Sequence, residues 1–220
     1  MPDRDTVRVA FAATGVANLA SIQAAFRRAG AEPFVAADPD ELAAAPFAIV
    51  PGVGSFGSAM AALKSAGMDA AIKDRITRRA PTMGVCAGMQ LFFEGSDESP
   101  GVEGMGIAKG VFRRFPPTLP VPQLGWNRVF ARGANAAEPR AALLREGWAY
   151  FANSYRLTEA PEGFSAGWAE YGEAFVAALE GLGATGLLLC QFHPELSGPW
   201  GLALIGRWLD RGIGPKGGAS

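Results

Sequence analysis

Apolar residues in this chain fall into two patterns. Short, mainly apolar runs occupy residues 7–13, 34–37, 47–50, 82–85 and 187–192, interrupted only at Arg8, Thr82 and Gln191. Runs of that length without helical period read as strands buried on both faces. Between them the spacing changes. Leu19, Ile22, Phe26 and Ala29 recur at three and four, which predicts a helix over 18–29 ended by Gly30. Residues 58–79 hold helical material broken near Gly67, and a helix is predicted over 89–94. Near the C-terminus Ser197 can cap a last helix, with Pro199 in its first turn and Leu202, Ile205 and Leu209 facing inward.

Strands alternating with helices predict an α/β fold, with an open, mostly parallel sheet flanked by helices. From 105 to 180 the chain turns rich in Gly, Pro and aromatics, with short strand-like runs at 110–115 and 149–153. That stretch reads as an antiparallel extension of the same sheet. No repeat or linker is visible, so residues 1–220 are expected to form one domain, with 214–220 a frayed tail.

Composition removes several function classes. Of 220 residues, 49% are hydrophobic and 19% charged, and the net charge is −1. Arg27-Arg28, Arg78-Arg79 and Arg113-Arg114 are scattered pairs rather than a basic face, so no nucleic-acid partner is expected. No apolar stretch reaches the roughly 18 residues that a membrane span needs. Acidic residues precede the short first apolar run, unlike a signal peptide, so a reduced cytoplasmic setting is expected. With one histidine and two cysteines, the chain offers neither a disulfide framework nor a zinc ligand set, and no cofactor is expected.

The candidate chemistry gathers around that single histidine, within Gln191-Phe192-His193-Pro194-Glu195, and around Gly84-Val85-Cys86-Ala87-Gly88. A nucleophile flanked by small residues, directly after an apolar strand, reads as a tight strand-to-helix turn that raises Cys86 above the sheet edge. His193 ends another strand, and open α/β sheets hold their sites at those C-terminal ends. His193 is the one available imidazole base, and Glu195 could fix its tautomer. A helix starting just after Cys86 would favour the thiolate. Cys190, inside an apolar strand, reads as core. Pro51-Gly52-Val53-Gly54 lacks the Lys-Ser/Thr of a phosphate loop. Its glycines instead allow a backbone amide to face a developing oxyanion.

Together these residues resemble the class I, or triad, glutamine amidotransferases. Gly84 through Gln90 match the nucleophile turn, and His193-Pro194-Glu195 the second signature. A narrower resemblance, to the glutaminase subunits of imidazole glycerol phosphate synthases, covers nearly the whole chain. It is carried by Pro51 through Gly57, Cys86 through Phe92, Gly95-Ser96-Asp97-Glu98, Pro122-Gln123-Leu124-Gly125-Trp126-Asn127, Tyr150-Phe151-Ala152-Asn153-Ser154-Tyr155 and Gln191 through Glu195.

The resemblance implies hydrolysis of glutamine by Cys86, His193 and Glu195. It implies oxyanion donors on the Val53 and Ala87 amides, and substrate contacts from Gly54, Gln90, Ser154 and Tyr155. It also implies a (β/α)8-barrel cyclase partner in a heterodimer that receives the ammonia for histidine biosynthesis, with Asn18, Trp126 and Asn127 near the interface and tunnel entrance. The chain departs from the family at Leu196, where lysine is usual, at Asn153 and Gln123, where histidine is common, and at Ala17, where the turn before Asn18 usually has a second glycine. Two other enzyme readings share the triad: a paralogous glutaminase serving another synthase, and a γ-glutamyl hydrolase or peptidase. A scaffold that has lost turnover is the non-enzymatic alternative.

Overall fold

The computed structural model describes residues 7–13, 19–52, 54–131, 143–181 and 186–212. Nine strands form one mixed sheet. Its parallel half contains β1 (Val7–Phe11), β2 (Ala31–Val35), β3 (Phe47–Val50), β4 (Thr82–Val85) and β12 (Leu187–Cys190), in the order β2-β1-β3-β4-β12. Alternate residues of each strand feed opposite cores, as the two-residue period of a strand requires. Val9, Phe11, Ile49, Met83, Val85, Leu188 and Cys190 point into one core. Ala10, Ala48, Val50, Leu187 and Leu189 point into the other.

The first core is closed by α1 (Ala20–Arg28) and α6 (Gly198–Gly212) through Ile22, Phe26, Leu204, Ile205 and Trp208. Trp208 meets Phe26 and Phe47 edge to face, with ring centroids 6.1 and 5.0 Å apart. The second core is closed by α2 (Pro39–Ala44), α3 (Phe56–Ser65) and α4 (Met68–Thr77) through Leu42, Phe56, Met60, Leu63 and Ile72. Gly67, at φ 68°, separates α3 from α4 at the predicted break. Arg75 of α4 is fully buried. Its guanidinium donates to the carbonyls of Leu42, Ala45 and Pro81 at 2.9, 2.6 and 2.7 Å, tying the end of α2 to the start of β4. Burial, reinforced by the like charge of Arg78 and only partly offset by Asp74, lowers its pKa to about 10.

The antiparallel extension continues the same sheet through β11 (Glu173–Gly181), β10 (Phe164–Tyr171), β7 (Gln123–Ala131) and β8 (Gly147–Asn153). A separate three-stranded sheet joins β5 (Gly95–Ser96), β6 (Val111–Arg114) and β9 (Tyr155–Arg156). Several boundaries differ from the sequence reading. β2 begins three residues early, because it is an edge strand where Pro33 can lack a donor without breaking a ladder. α2 was not predicted, although Asp38 Oδ1 accepts from Glu41 N and Glu41 Oε2 accepts from Ala37 N, a reciprocal cap. The helix after Cys86, α5, is only Ala87–Gln90, not 89–94. Leu202 is half-buried, while Trp208 lies fully inside. Ser197 does not act as a simple cap. Its hydroxyl donates to His193 O at 2.6 Å and accepts from Tyr150 N at 3.0 Å. Among the described residues no helix is long and apolar enough to cross a membrane. The 214–220 tail lies outside the described residues.

Candidate active site

Three neighbouring parallel strands end together. Val50 pairs with Gly84 and Cys190 with Val85, so the segments after β3, β4 and β12 emerge side by side. These segments carry Gly52, Cys86 and His193. Cys86 has φ 53° and ψ −120°, and is one of two non-glycine residues with positive φ among those described. Such a backbone is strained for an L residue and persists only where the surroundings hold it. Here the Cys86 amide donates to Cys190 O at 2.7 Å, and Met89 N donates back to Cys86 O at 3.0 Å. The flanking glycines make the turn possible. A Cβ on Gly88 would lie 2.1 Å from Val50 O, and one on Gly52 would lie 2.3 Å from Ala87 N. The segment after β3 is therefore pressed directly onto the turn that carries Cys86.

His193 is held from several sides. Its amide donates to Tyr150 O at 2.9 Å, and Ser197 secures its carbonyl. Its Nδ1 lies 2.8 Å from Glu195 Oε1, and its ring also hydrogen-bonds Cys86. Burial alone would lower the imidazole pKa. The hydrogen bonds and negative charge of Cys86 and Glu195 outweigh burial and push it up to about 10. The ring is thus an imidazolium at neutral pH, paired with sulfur on one side and carboxylate on the other. Cys190 is fully buried, and burial pushes its thiol well above its ordinary value, so it is inert beside Cys86.

Cys86 and His193 open into a cavity of about 270 Å³ that is also lined by Gly52, Gly54, Ala87, Gln90, Glu98, Ala152, Asn153, Ser154 and Tyr155. The four residues matched to substrate contacts all reach it. Val53 and Asn18 lie outside the described residues. Trp126 and Asn127 do not line the cavity. Trp126 is 55% exposed on the outer face of β7, where it packs edge to face on Tyr150. Asn127 turns the other way, and its Nδ2 donates to Glu170 O at 2.7 Å. Leu124, Trp148 and Leu196 are also exposed near that outer face, and Gly198 places the 196–198 segment against Trp126.

The sequence reading gave no role to Glu98 or Gln191. Glu98 brings a carboxylate to the cavity and accepts from Phe56 N at 2.6 Å. Its signal was a carboxylate inside a motif-bearing run. Gln191 is fully buried beside the sulfur. Its signal was a polar side chain near the end of an otherwise apolar run.

The class-I glutamine amidotransferase family model matches residues 31–208. The chain belongs to that family. The imidazole glycerol phosphate synthase subunit HisH of Methanopyrus kandleri is 39% identical over 206 residues, covering 92% of this chain and 98% of the relative. A HisH subunit of Thermus thermophilus is 40% identical over 192 residues, covering 87% and 91%. In fold, this amidotransferase is similar to a chain of the Thermotoga maritima PurLQS structure, with a TM-score of 0.71 at 16% identity over 93% of this chain and 98% of that one. The shared α/β architecture, with its parallel core and antiparallel extension, agrees with the predicted fold class.

Proposed function

We propose that this amidotransferase is the glutaminase subunit of an imidazole glycerol phosphate synthase, hydrolysing L-glutamine to glutamate and ammonia for a cyclase partner in histidine biosynthesis. One observation carries the reading. A Cys86–His193–Glu195 array opens into a cavity, in a chain whose HisH relatives match it over about nine tenths of its length.

In this reaction the Cys86 thiolate attacks the side-chain amide carbon of glutamine. The resulting oxyanion is met by the amide N–H of Ala87 and, by resemblance, of Val53. His193 gives its proton to the departing nitrogen, which leaves as ammonia, and a thioester remains. Water then attacks the thioester with His193 as base. Glutamate departs and the thiolate returns. Glu195 keeps the imidazole oriented and stabilises its charged form. Gly54, Gln90, Ser154 and Tyr155 hold the substrate, and Glu98 is suited to its α-ammonium.

The partner would dock on the outer face of β7 and β8. Leu124 and Trp126 there pair across the ladder with Ala152 and Tyr150, and Ala152 also lines the cavity. Ammonia formed at Cys86 is therefore one strand away from an exposed apolar surface. A barrel cyclase seated on it would receive ammonia without passage through bulk water. Leu196 favours a second reading, a glutaminase serving another synthase, since it brings an exposed apolar side chain where the family usually has lysine.

Labelling with an electrophilic glutamine analogue tests the chemistry. One adduct on Cys86, prevented by excess glutamine, is expected. An unlabelled Cys86, or labelling indifferent to glutamine, would overturn it.

A further inference from the structure

We propose that Gln191 is a positioning residue for glutamine hydrolysis: its amide N–H is directed at the Cys86 sulfur and supports it as nucleophile, while its amide oxygen fixes the side chain of Gln90 at the substrate cavity. The inference rests on the glutaminase reading and adds a residue that the triad does not include.

Gln191 is fully buried at the end of β12, and its amide donates to Ala177 O of β11 at 2.8 Å, which fixes its backbone. Its side chain spans two functional groups. Nε2 lies 3.9 Å from Cys86 Sγ, and Oε1 accepts from Gln90 Nε2 at 3.1 Å. Gln90 is itself 4% exposed and lines the cavity. The three side chains thus form one line of hydrogen bonds, from Gln90 through Gln191 to sulfur.

The charge on sulfur sets the direction of that line. Among the described residues, two groups other than His193 approach the sulfur at 3.9 Å, the Ala152 carbonyl and the Gln191 amide nitrogen. A carbonyl can bond only a protonated thiol, whereas an N–H is strengthened by a thiolate. When Cys86 is the thiolate of the proposed attack, Gln191 is the group that can donate to it. The opposite amide orientation would aim Oε1 at a negative sulfur and Nε2 at the donor group of Gln90. Gln191 then also stabilises the sulfur as it departs from the thioester. Its bond from Gln90 commits that residue's Nε2 and leaves Gln90 Oε1 to accept from substrate. Because linked amides polarise one another, substrate on Gln90 strengthens the N–H that faces sulfur. The other titratable groups around this sulfur are His193 and Glu195 beyond β12, Glu98 after β5 and Tyr155 of β9.

The test is the rate of Cys86 alkylation by iodoacetamide against pH, read by mass spectrometry on the full chain, with buried Cys190 as internal control. Gln191→Met removes both amide contacts. Gln191→Glu keeps shape and the acceptor for Gln90 but removes the donor to sulfur. In Gln191→Met the alkylation midpoint should move up by about one pH unit, the size expected for one lost bond to a charged group, and in Gln191→Glu it should move up further, because the carboxylate adds a like charge beside the sulfur. The KM for glutamine should rise several-fold in Gln191→Met and less in Gln191→Glu. If Gln191→Met fails to fold, the isosteric variant still gives the profile. Profiles superimposed on wild type, even with reduced turnover, would overturn the proposal. Failure of the glutaminase reading shows separately, as a wild-type chain without Cys86-dependent glutamate release.

Discussion

The His193 ring joins the Cys86 sulfur to the Glu195 carboxylate, and its protonation sets two predictions. Its pKa is 6.5 in the unfolded chain and about 10 here, so the folded state holds a proton that the unfolded state loses. Stability from this pairing is complete below about pH 6.5 and is lost as pH rises toward 10. Replacing Glu195 by Gln removes much of that pairing. Urea midpoints of wild type and Glu195→Gln should therefore differ most near pH 6 and converge by pH 10. A gap that stays constant with pH would show that Glu195 does not support the imidazolium. The same substitution should lower kcat by about 100-fold or more, because the ring loses orientation as well as charge. At this scale the meeting of Cys86, His193 and Glu195 was legible, since a cysteine between small residues and a lone histidine leave few other candidates. Gln191 and Glu98 were not. Their importance comes from contacts between segments far apart in sequence, as in Gln90 with Gln191 and Phe56 with Glu98.

Elements meet at the site through backbone contacts that tolerate no added atom. Gly52 packs so closely on Ala87 and Val85 that a methyl group there would force the segment after β3 off the Cys86 turn. Gly52→Ala should cost about 2 kcal/mol or more in urea unfolding and reduce glutamate release disproportionately, because the proposed oxyanion donors would separate. A variant stable and active as wild type would contradict that packing. Farther from the chemistry, Arg75 joins α2, α4 and the start of β4 through the carbonyls of Leu42, Ala45 and Pro81. Arg75→Met should destabilise the fold by about 3 kcal/mol, measured the same way, with little change in KM. The inner parallel strands β3, β4 and β12 were readable because burial on both faces leaves nearly continuous apolar runs. The β10–β11 hairpin was less so. Its turn is the single residue Gly172 at φ 73°, and β10 mixes Gly, Trp and Glu on a partly exposed surface, which dilutes any strand pattern. Arg75 shows the same limit, since an arginine in a helix gives no sign from sequence that it will be fully buried.

As a whole, the molecule sets its cavity beside an exposed apolar ladder. Leu124, Trp126 and Trp148 are each more than half exposed, and Leu196 nearly so, which is unusual for residues of this size unless a partner covers them. Trp126→Asp should weaken association with the proposed cyclase partner at least 10-fold, read by titration, while leaving the Cys86 alkylation rate unchanged. Leu196→Lys should alter affinity for the partner if the apolar side chain shapes that contact. The measurement that bears most directly on the function is glutamate release from glutamine by the pure chain, alone and with a histidine-pathway cyclase and its nucleotide substrate, with Cys86→Ala as blank. The expected result is turnover that depends on Cys86 and is strongly stimulated by the loaded cyclase. Release that ignores the cyclase would assign the chain to a different synthase, and the absence of any Cys86-dependent release would contradict the glutaminase itself.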